Sequence, residues 1–598
     1  MAQKFQSLVD MQIRSCQQYA GNQLFGTKRN GVYQWITYGE FGRRVDAFRS
    51  ALAALGVERG NKVAVIANNS VEWAVGAYAT YSLGAHYAPM YESQLPKEWE
   101  YIVEDSGAVV LIVSTEEIYQ QVADYIGRVG RLRHIIVLYA DSARDYAYER
   151  HLEHGAANPV PPVMPEWDEV AGLIYTSGTT GKSKGVVLSH GNFCSNINAI
   201  HDVFPMSSED TSCSFLPWAH SFGQTVELHA LLSMGAAIGI AESVNTLIDN
   251  FGEVRPTLLF AVPRIFNRIY DGLQKRMANE SPIKRMMFQR GMAVAERKRL
   301  LADKGQQSAW VNWQYGLFDK LVFSKVKARF GGRLRYAFSG GAALSKEVGT
   351  FIDDIGILVF EGYGLTETSP IATANFPGAR RLGTIGKPIP GVKIFICDEE
   401  QRVVGPEQDG EIVVVGPNVM QGYFNKQEAT DEVIFDLNGQ RAFRTGDMGR
   451  ITSDGFVKIT GRFKEQYKLE NGKYVVPTLL EEDLKLSGFV NQAFVYGDNR
   501  LYNVALIVPD FDALQEWAKA NNISDQSPDA LARNPQCHAR IGEEIARYSK
   551  EWKGYERVQK WALLTEEFST ANDMMTPKMS VKRRNVVARY QDTLDSLY

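Results

Sequence analysis

Cysteine is scarce in this chain. The five among 598 residues, Cys16, Cys194, Cys213, Cys397 and Cys537, show no paired spacing, which excludes a disulfide framework or a zinc site and makes a reducing cytoplasm the expected setting. A surplus of basic charge is missing too: the net charge of −4 argues against a general nucleic-acid binder, whose phosphate contacts need a basic face. Long apolar runs are also lacking. The longest uncharged stretch, residues 73–91, contains Thr80, Ser82, two glycines, His86 and Pro89, which predicts a buried helix and turn rather than a membrane span. The opening Met1-Ala-Gln-Lys-Phe-Gln has no apolar core, so neither a secretory signal nor a transit peptide is expected. Repeats and low-complexity tracts are absent. What remains is an ordinary globular composition in a chain too long for one compact core.

Against that background one segment is unusual: Leu173-Ile-Tyr-Thr-Ser-Gly-Thr-Thr-Gly-Lys-Ser-Lys-Gly-Val-Val-Leu188. Gly178, Gly181 and Gly185 let the backbone approach an anion, Thr176, Ser177, Thr179 and Thr180 offer hydroxyl donors, and Lys182 and Lys184 add charge. The combination predicts a nucleoside triphosphate near residue 180. A Walker loop is excluded because Thr176 stands where that motif needs glycine. The following residues 185–188 read as a β-branched strand rather than a helix, with Asn192 as the later helix cap.

From Lys62 to Val262 short apolar runs alternate with longer amphipathic stretches, which predicts layered α/β structure with buried strands at 109–113 and 134–138. Residues 283–301 carry Lys284, Arg285, Arg290, Arg297, Lys298 and Arg299 at helical spacing. Such a basic helix is either a peripheral membrane contact or a solvated face. After Arg444 the pattern is that of hairpins, with strands at 443–451 and 456–460 around Ser453-Asp454-Gly455. Beyond Gly461 it changes again. A helix at 479–486, strands at 493–496 and 504–508 and a helix at 541–552 predict a small α+β unit, and the boundary is set at 461–464.

Two further glycine-rich clusters follow apolar runs: Ser339-Gly-Gly-Ala-Ala-Leu344 and Glu361-Gly-Tyr-Gly-Leu-Thr-Glu-Thr-Ser369. In the second, Tyr363 offers a ring face to a base, Thr366 a hydroxyl to a phosphate and Glu367 a hard oxygen ligand to Mg²⁺. In Arg444-Thr-Gly-Asp447 a carboxylate sits where it can accept from both ribose hydroxyls. Taken singly, each of these is also compatible with a tight or Asx-type turn. A fifth, highly charged motif, residues 461–477, lies on the domain boundary.

In this order and at these separations the five motifs resemble those of the adenylate-forming superfamily of acyl-CoA synthetases, luciferases and peptide-synthetase adenylation domains. Residues 321–327 followed by 331–344 are most similar to long-chain fatty acyl-CoA synthetases. The resemblance implies an α/β fold whose large N-terminal domain (1–461) combines layered α/β subdomains with a β-barrel-like subdomain. A small mobile α+β domain (462–598) would turn about a hinge near Lys464. It implies ATP-dependent activation of a long-chain fatty acid to acyl-AMP and transfer to CoA, with ATP, Mg²⁺ and CoA required, as a monomer or homodimer in the cytoplasm. Thr176, Ser177, Gly178, Thr179, Thr180, Gly181, Lys182 and Lys184 would hold the β- and γ-phosphates. Thr366 would contact the α-phosphate, Glu367 the Mg²⁺, Asp447 the ribose, and Tyr363 with Gly364 the adenine. Arg462 would help hold the nucleotide, and the loop at Lys468 and Gly472 would enter the site after rotation. His220 stands at the acyl-pocket position, with an ordinary core histidine as the alternative. Gly341 and Trp218 would line the acyl tunnel, and a plain core tryptophan is the alternative for Trp218.

The C-terminus departs from the pattern. The family's terminal Thr-Pro-x-x-Lys reads Thr576-Pro-Lys-Met-Ser580 here, with Ser580 in the lysine register and Lys578 and Lys582 to either side. In an extended segment residues two apart share a side, so either lysine could serve, and Lys578 is slightly favoured. A fatty acyl-AMP ligase that loads a carrier protein, and a non-catalytic acyl- or nucleotide-binding homologue, remain as alternatives.

Overall fold

The computed structural model describes residues 4–176, 182–303, 305–462, 466–576 and 580–598. In its seven-stranded sheet, His86–Met90, Lys62–Ile66, Val110–Val113 and His134–Val137 run parallel. Val110–Val113 is buried along its whole length, as an unbroken aliphatic run must be when both sheet faces are covered. At the other edge Val170–Thr176 and Lys184–Ser189 form an antiparallel hairpin, to which Gly422–Tyr423 adds a short strand. The uncharged stretch at 73–91 is the buried helix Val71–Tyr81, capped by the Ser70 hydroxyl, and then the strand His86–Met90. No helix among the described residues is long and apolar enough to cross a membrane.

The nine-stranded sheet has six parallel strands, Gln23–Arg29, Ala237–Ile240, Thr211–Ser214, Leu258–Ala261, Tyr336–Ser339 and Leu358–Gly364, with antiparallel strands at both edges. Their register brings Ala261, Ser339 and Glu361 side by side at the carboxyl ends, the edge where open parallel sheets receive ligands. A third, antiparallel sheet of five strands lies between Lys393 and Arg462, and its long hairpin sets Asp447 directly opposite Arg462. One continuous apolar core joins both large sheets.

The small C-terminal domain has cores of its own around Val490–Tyr496, Asn503–Pro509 and Val558–Leu563. The helices Pro477–Leu484, Pro535–Tyr548 and Arg583–Asp595 flank them. One local expectation is corrected. The helix His190–Val203 is capped by Ser189, and Asn192 is its reciprocal partner three residues on, because a hydroxyl one residue before the helix reaches the free N–H best. On either side of residues 577–579, which lie outside the described residues, Met575 bridges Val581 antiparallel and Thr576 N–H donates to Ser580 O at 2.9 Å.

Candidate active site

On either side of the glycine- and hydroxyl-rich segment, Thr176 pairs with Lys184 in an antiparallel ladder. Ser177, Gly178, Thr179, Thr180 and Gly181 lie outside the described residues. The flanks are fixed by packing: a side chain at Gly172 would meet Tyr87 O at 2.7 Å, and one at Gly185 would meet the Tyr175 ring at 3.0 Å. Lys182 stands over the Tyr101 ring (5.1 Å) and Lys184 over the Tyr423 ring (4.8 Å), cation–π contacts that hold both charges at the loop's base.

Tyr423 leads from this loop to the third glycine cluster. Its hydroxyl donates to Glu367 Oε1 at 2.9 Å, while Met420 N–H donates to the Glu367 carbonyl at 2.8 Å. Thr366, the preceding residue, is buried, and its hydroxyl lies 3.3 Å from that of Ser221. Lys184, Tyr423, Glu367, Thr366 and Ser221 thus form a line across the junction of the two large sheets. Gly364 is required by sterics: a Cβ there would fall 1.6 Å from Pro370 O. Gly341, at φ +83°, carries the chain away from the strand Tyr336–Ser339 in a conformation that favours glycine.

On the other flank, Tyr363 donates to Asp447 Oδ2 at 2.6 Å and Arg462 Nε donates to Asp447 Oδ1 at 2.5 Å. Both oxygens of the buried Asp447 therefore face donors, as they would face two ribose hydroxyls. Burial, with Asp447 adjacent, pushes the Tyr363 phenol well above its ordinary range, so it remains a donor. Ser339 Oγ, at the carboxyl end of its strand, is buried with no hydrogen-bond partner among the described residues. An orphaned donor at that edge suits a polar ligand.

His220 is half-buried, with Nδ1 accepting from Phe222 N–H at 3.2 Å, so in the neutral ring Nε2 carries the proton. Trp218 takes the core alternative: it is fully buried, with the rings of Phe25 and Trp73 each 5.7 Å away. Below this segment, Glu227 is fully buried and accepts from Ser212 (2.8 Å) and Ser214 (2.6 Å), and burial pushes its carboxyl up to about 7.

The C-terminal domain meets this site through the helix Pro96–Ser106. Lys582 Nζ is 2.5 Å from Asp573 and 3.7 Å from Glu98, and Lys97 is 3.8 Å from Asp573. One turn along the same helix, Tyr101 donates to Ser183 O at 3.0 Å. The same helix thus touches Lys582 and Asp573 of the C-terminal domain at one turn and Ser183, beside the glycine-rich segment, at the next. Lys582 is held between two carboxylates. Lys578 and Lys464 lie outside the described residues. Lys468 is exposed on the hairpin formed by Tyr467–Lys468 and Tyr474–Val475, over the Tyr474 ring at 5.7 Å. Sequence reasoning passed over Ser221, Tyr423, Glu98 and Tyr101. No linear spacing marks them, and only the Gly422-Tyr423 pair carried even a weak turn signal.

These motifs meet in a known family frame. The AMP-binding enzyme model matches residues 14–424, and the AMP-binding enzyme C-terminal domain model matches 464–598. The chain belongs to the AMP-binding enzyme family. It is 31% identical to the long-chain-fatty-acid–CoA ligase FadD15 of Mycobacterium bovis, over 95% of this chain and 93% of that protein. It is 29% identical to the peroxisomal long chain acyl-CoA synthetase 7 of Arabidopsis thaliana, over 99% and 86%. The same fold is seen in the anthranilate CoA ligase AuaEII in complex with anthranoyl-AMP (TM-score 0.75, 18% identity, 100% of this chain and 99% of that one). It recurs in the A domain of the Segniliparus rugosus carboxylic acid reductase in complex with AMP (TM-score 0.77, 21% identity, 100% and 95%).

Proposed function

We propose that this chain is a long-chain fatty acid–CoA ligase, forming acyl-AMP and pyrophosphate from a fatty acid and ATP, then acyl-CoA and AMP. The observation that carries this reading is the convergence of four distant segments on one line, Lys184, Tyr423, Glu367–Thr366 and Ser221, beside the Tyr363–Asp447–Arg462 cluster.

In the first half-reaction the fatty carboxylate attacks the α-phosphorus and charge builds on the phosphate oxygens. Positioned donors are the main catalytic device, each worth on the order of 3 kcal/mol. Lys182, Lys184 and the Ser177–Gly181 loop hold the β- and γ-phosphates, and Thr366 donates at the α-phosphate. Asp447 exchanges its present donors for the ribose hydroxyls, and the Tyr363 ring covers the adenine. His220 borders the acyl carboxylate. Among the described residues no three His, Cys, Asp or Glu cluster as a closed metal cage. Glu367, with Oε1 held by Tyr423, supplies one carboxylate, which suits Mg²⁺, an ion that takes its other ligands from phosphates and water. Bound there, Mg²⁺ would supply charge neutralisation at the phosphates.

The C-terminal domain is taken as 462–598, turning about Lys464. The helix Pro96–Ser106 touches both the Lys582–Asp573 pair and Ser183, which supports an adenylation-ready state in which Lys578 is the lysine that bridges carboxylate and phosphate. Rotation would then bring in the Lys468 hairpin for thioester formation. The enzyme is assigned to the cytoplasm. Pyrophosphate release across acids from acetate to long-chain, with and without CoA, tests the proposal. Acid-dependent release with CoA-dependent thioester is expected. Release without acyl-CoA points to a carrier-loading ligase, and no release defeats the reading.

A further inference from the structure

The basic helix is Pro282–Asp303, and the chain doubles back through Ala309–Phe318 and the wider turn Asp319–Phe323 to pack against it. Its inner side is properly filled, with Phe288, Ala295, Val311 and Phe323 buried. The outer side differs. Trp310 and Trp313 are 61% and 60% exposed, their rings stacked at 5.0 Å. The other eight of the chain's ten tryptophans are buried or half-buried. Leu317 and Leu321 continue the same side at helical spacing and are likewise exposed. On the partner helix Ile283, Met286, Arg290, Arg297 and Leu300 fall on one exposed stripe.

Charge accompanies this apolar surface. Residues 282–333 hold twelve Lys and Arg against three Asp and Glu, a formal +9 in a chain whose net charge is −4. Arg290, Arg297, Lys320 and Lys325 are exposed among the apolar side chains. A second copy would set +9 against +9, which argues against self-association through this face. Exposed indole rings flanked by leucines and cations suit the boundary of an anionic bilayer, where the rings sit at headgroup level and the cations meet lipid phosphates.

We infer that the outer face of this helical hairpin, centred on Trp310, Trp313, Leu317 and Leu321, docks the protein on an anionic lipid surface. The inference rests on the hairpin alone and goes beyond the proposed reaction. Full-length protein is sedimented with vesicles of phosphatidylcholine alone or with about one-third phosphatidylglycerol. The wild type is expected to bind the anionic vesicles, less so at high salt. Trp310→Ser with Trp313→Ser, and separately Lys320→Glu with Lys325→Glu, should each weaken binding by roughly tenfold or more. Pyrophosphate release with a short, water-soluble acid should be unchanged in both, which certifies folding. Lipids brominated near the headgroup should quench fluorescence in the wild type and much less in the tryptophan variant. Vesicle binding that is absent in the wild type, or unaltered by both variants, overturns the inference. So does a concentration-dependent dimer lost in the tryptophan variant without any vesicle binding. A protein that binds vesicles but never releases pyrophosphate would defeat the proposed reaction and leave the docking surface standing.

Discussion

The two domains present themselves to the active site by different physical means. The N-terminal side is a buried frame: Tyr363 on Asp447, Thr366 by Ser221 and Glu367 under Tyr423, all at 2.6–3.3 Å. The C-terminal side meets the large domain mostly through polar tips, Lys582 at 3.7 Å from Glu98, Lys97 at 3.8 Å from Asp573 and Arg264 donating to Asn491 at 3.3 Å, with Leu486 packed on an apolar core of that domain. Breaking a buried hydrogen bond strands a desolvated group and costs about 1–3 kcal/mol, whereas a solvated ion pair contributes up to about 1 kcal/mol. The frame is therefore costlier to break than the charged contacts across the domains. That asymmetry is what a two-step reaction with one reorienting domain needs.

The comparison can be broken most strongly from the buried side. Asp447→Ala removes the acceptor shared by Tyr363 and Arg462, and pyrophosphate release should fall on the order of 100-fold or more with the fold retained by circular dichroism. Lys578→Ala should lower adenylation by a similar order, roughly 100-fold, while conversion of supplied acyl-AMP to acyl-CoA survives. Equal loss of both half-reactions would remove the division of labour between the domains.

A smaller effect concerns stability. Glu227 holds its proton in the fold up to about pH 7, against an ordinary 4.5, so the folded state binds that proton more tightly than the unfolded chain. The sign follows: this group's contribution is full below pH 4.5 and declines as pH rises to about 7, by up to about 3 kcal/mol. Urea unfolding of Glu227→Gln at pH 5 and pH 8 should show that decline removed. The smallest effect is expected from Glu98→Gln, which leaves Lys582 with Asp573 alone. Its adenylation rate should change only about two- to fivefold, and added salt should erase the difference. A salt-insensitive collapse would mean that the interdomain contact is as rigid as the frame.

Much of the scaffold was legible because aliphatic runs such as residues 110–113 and 258–261 have no stable alternative to a doubly covered strand. The glycine- and hydroxyl-rich motifs were legible because their residue types are chemically unusual together. Ser221, Tyr423 and Glu98 were not, since each acquires its role only from a neighbour more than fifty residues away in sequence. Trp218 and Trp310 make the same point. Both are aromatic residues in apolar surroundings of the chain, yet one is walled in by Phe25 and Trp73 and the other stands in solvent. Asn192 was misread because Ser and Asn are comparable caps, and one residue of helix phase decides between them.

By itself the amino-acid order determined which segments become strands and helices, and it marked out the glycine-, hydroxyl- and lysine-rich motif and the carboxylates proposed for ribose and cation. Those are properties of local residue chemistry and periodicity. Only the tertiary structure decided that Lys184, Glu367 and Thr366 share one line, that Asp447 faces Tyr363 and Arg462, and that Lys582 and Ser183 meet the same helix, Pro96–Ser106. Such encounters depend on how sheets register and domains close, a sum of many weak contacts spread over the whole chain that no short stretch encodes.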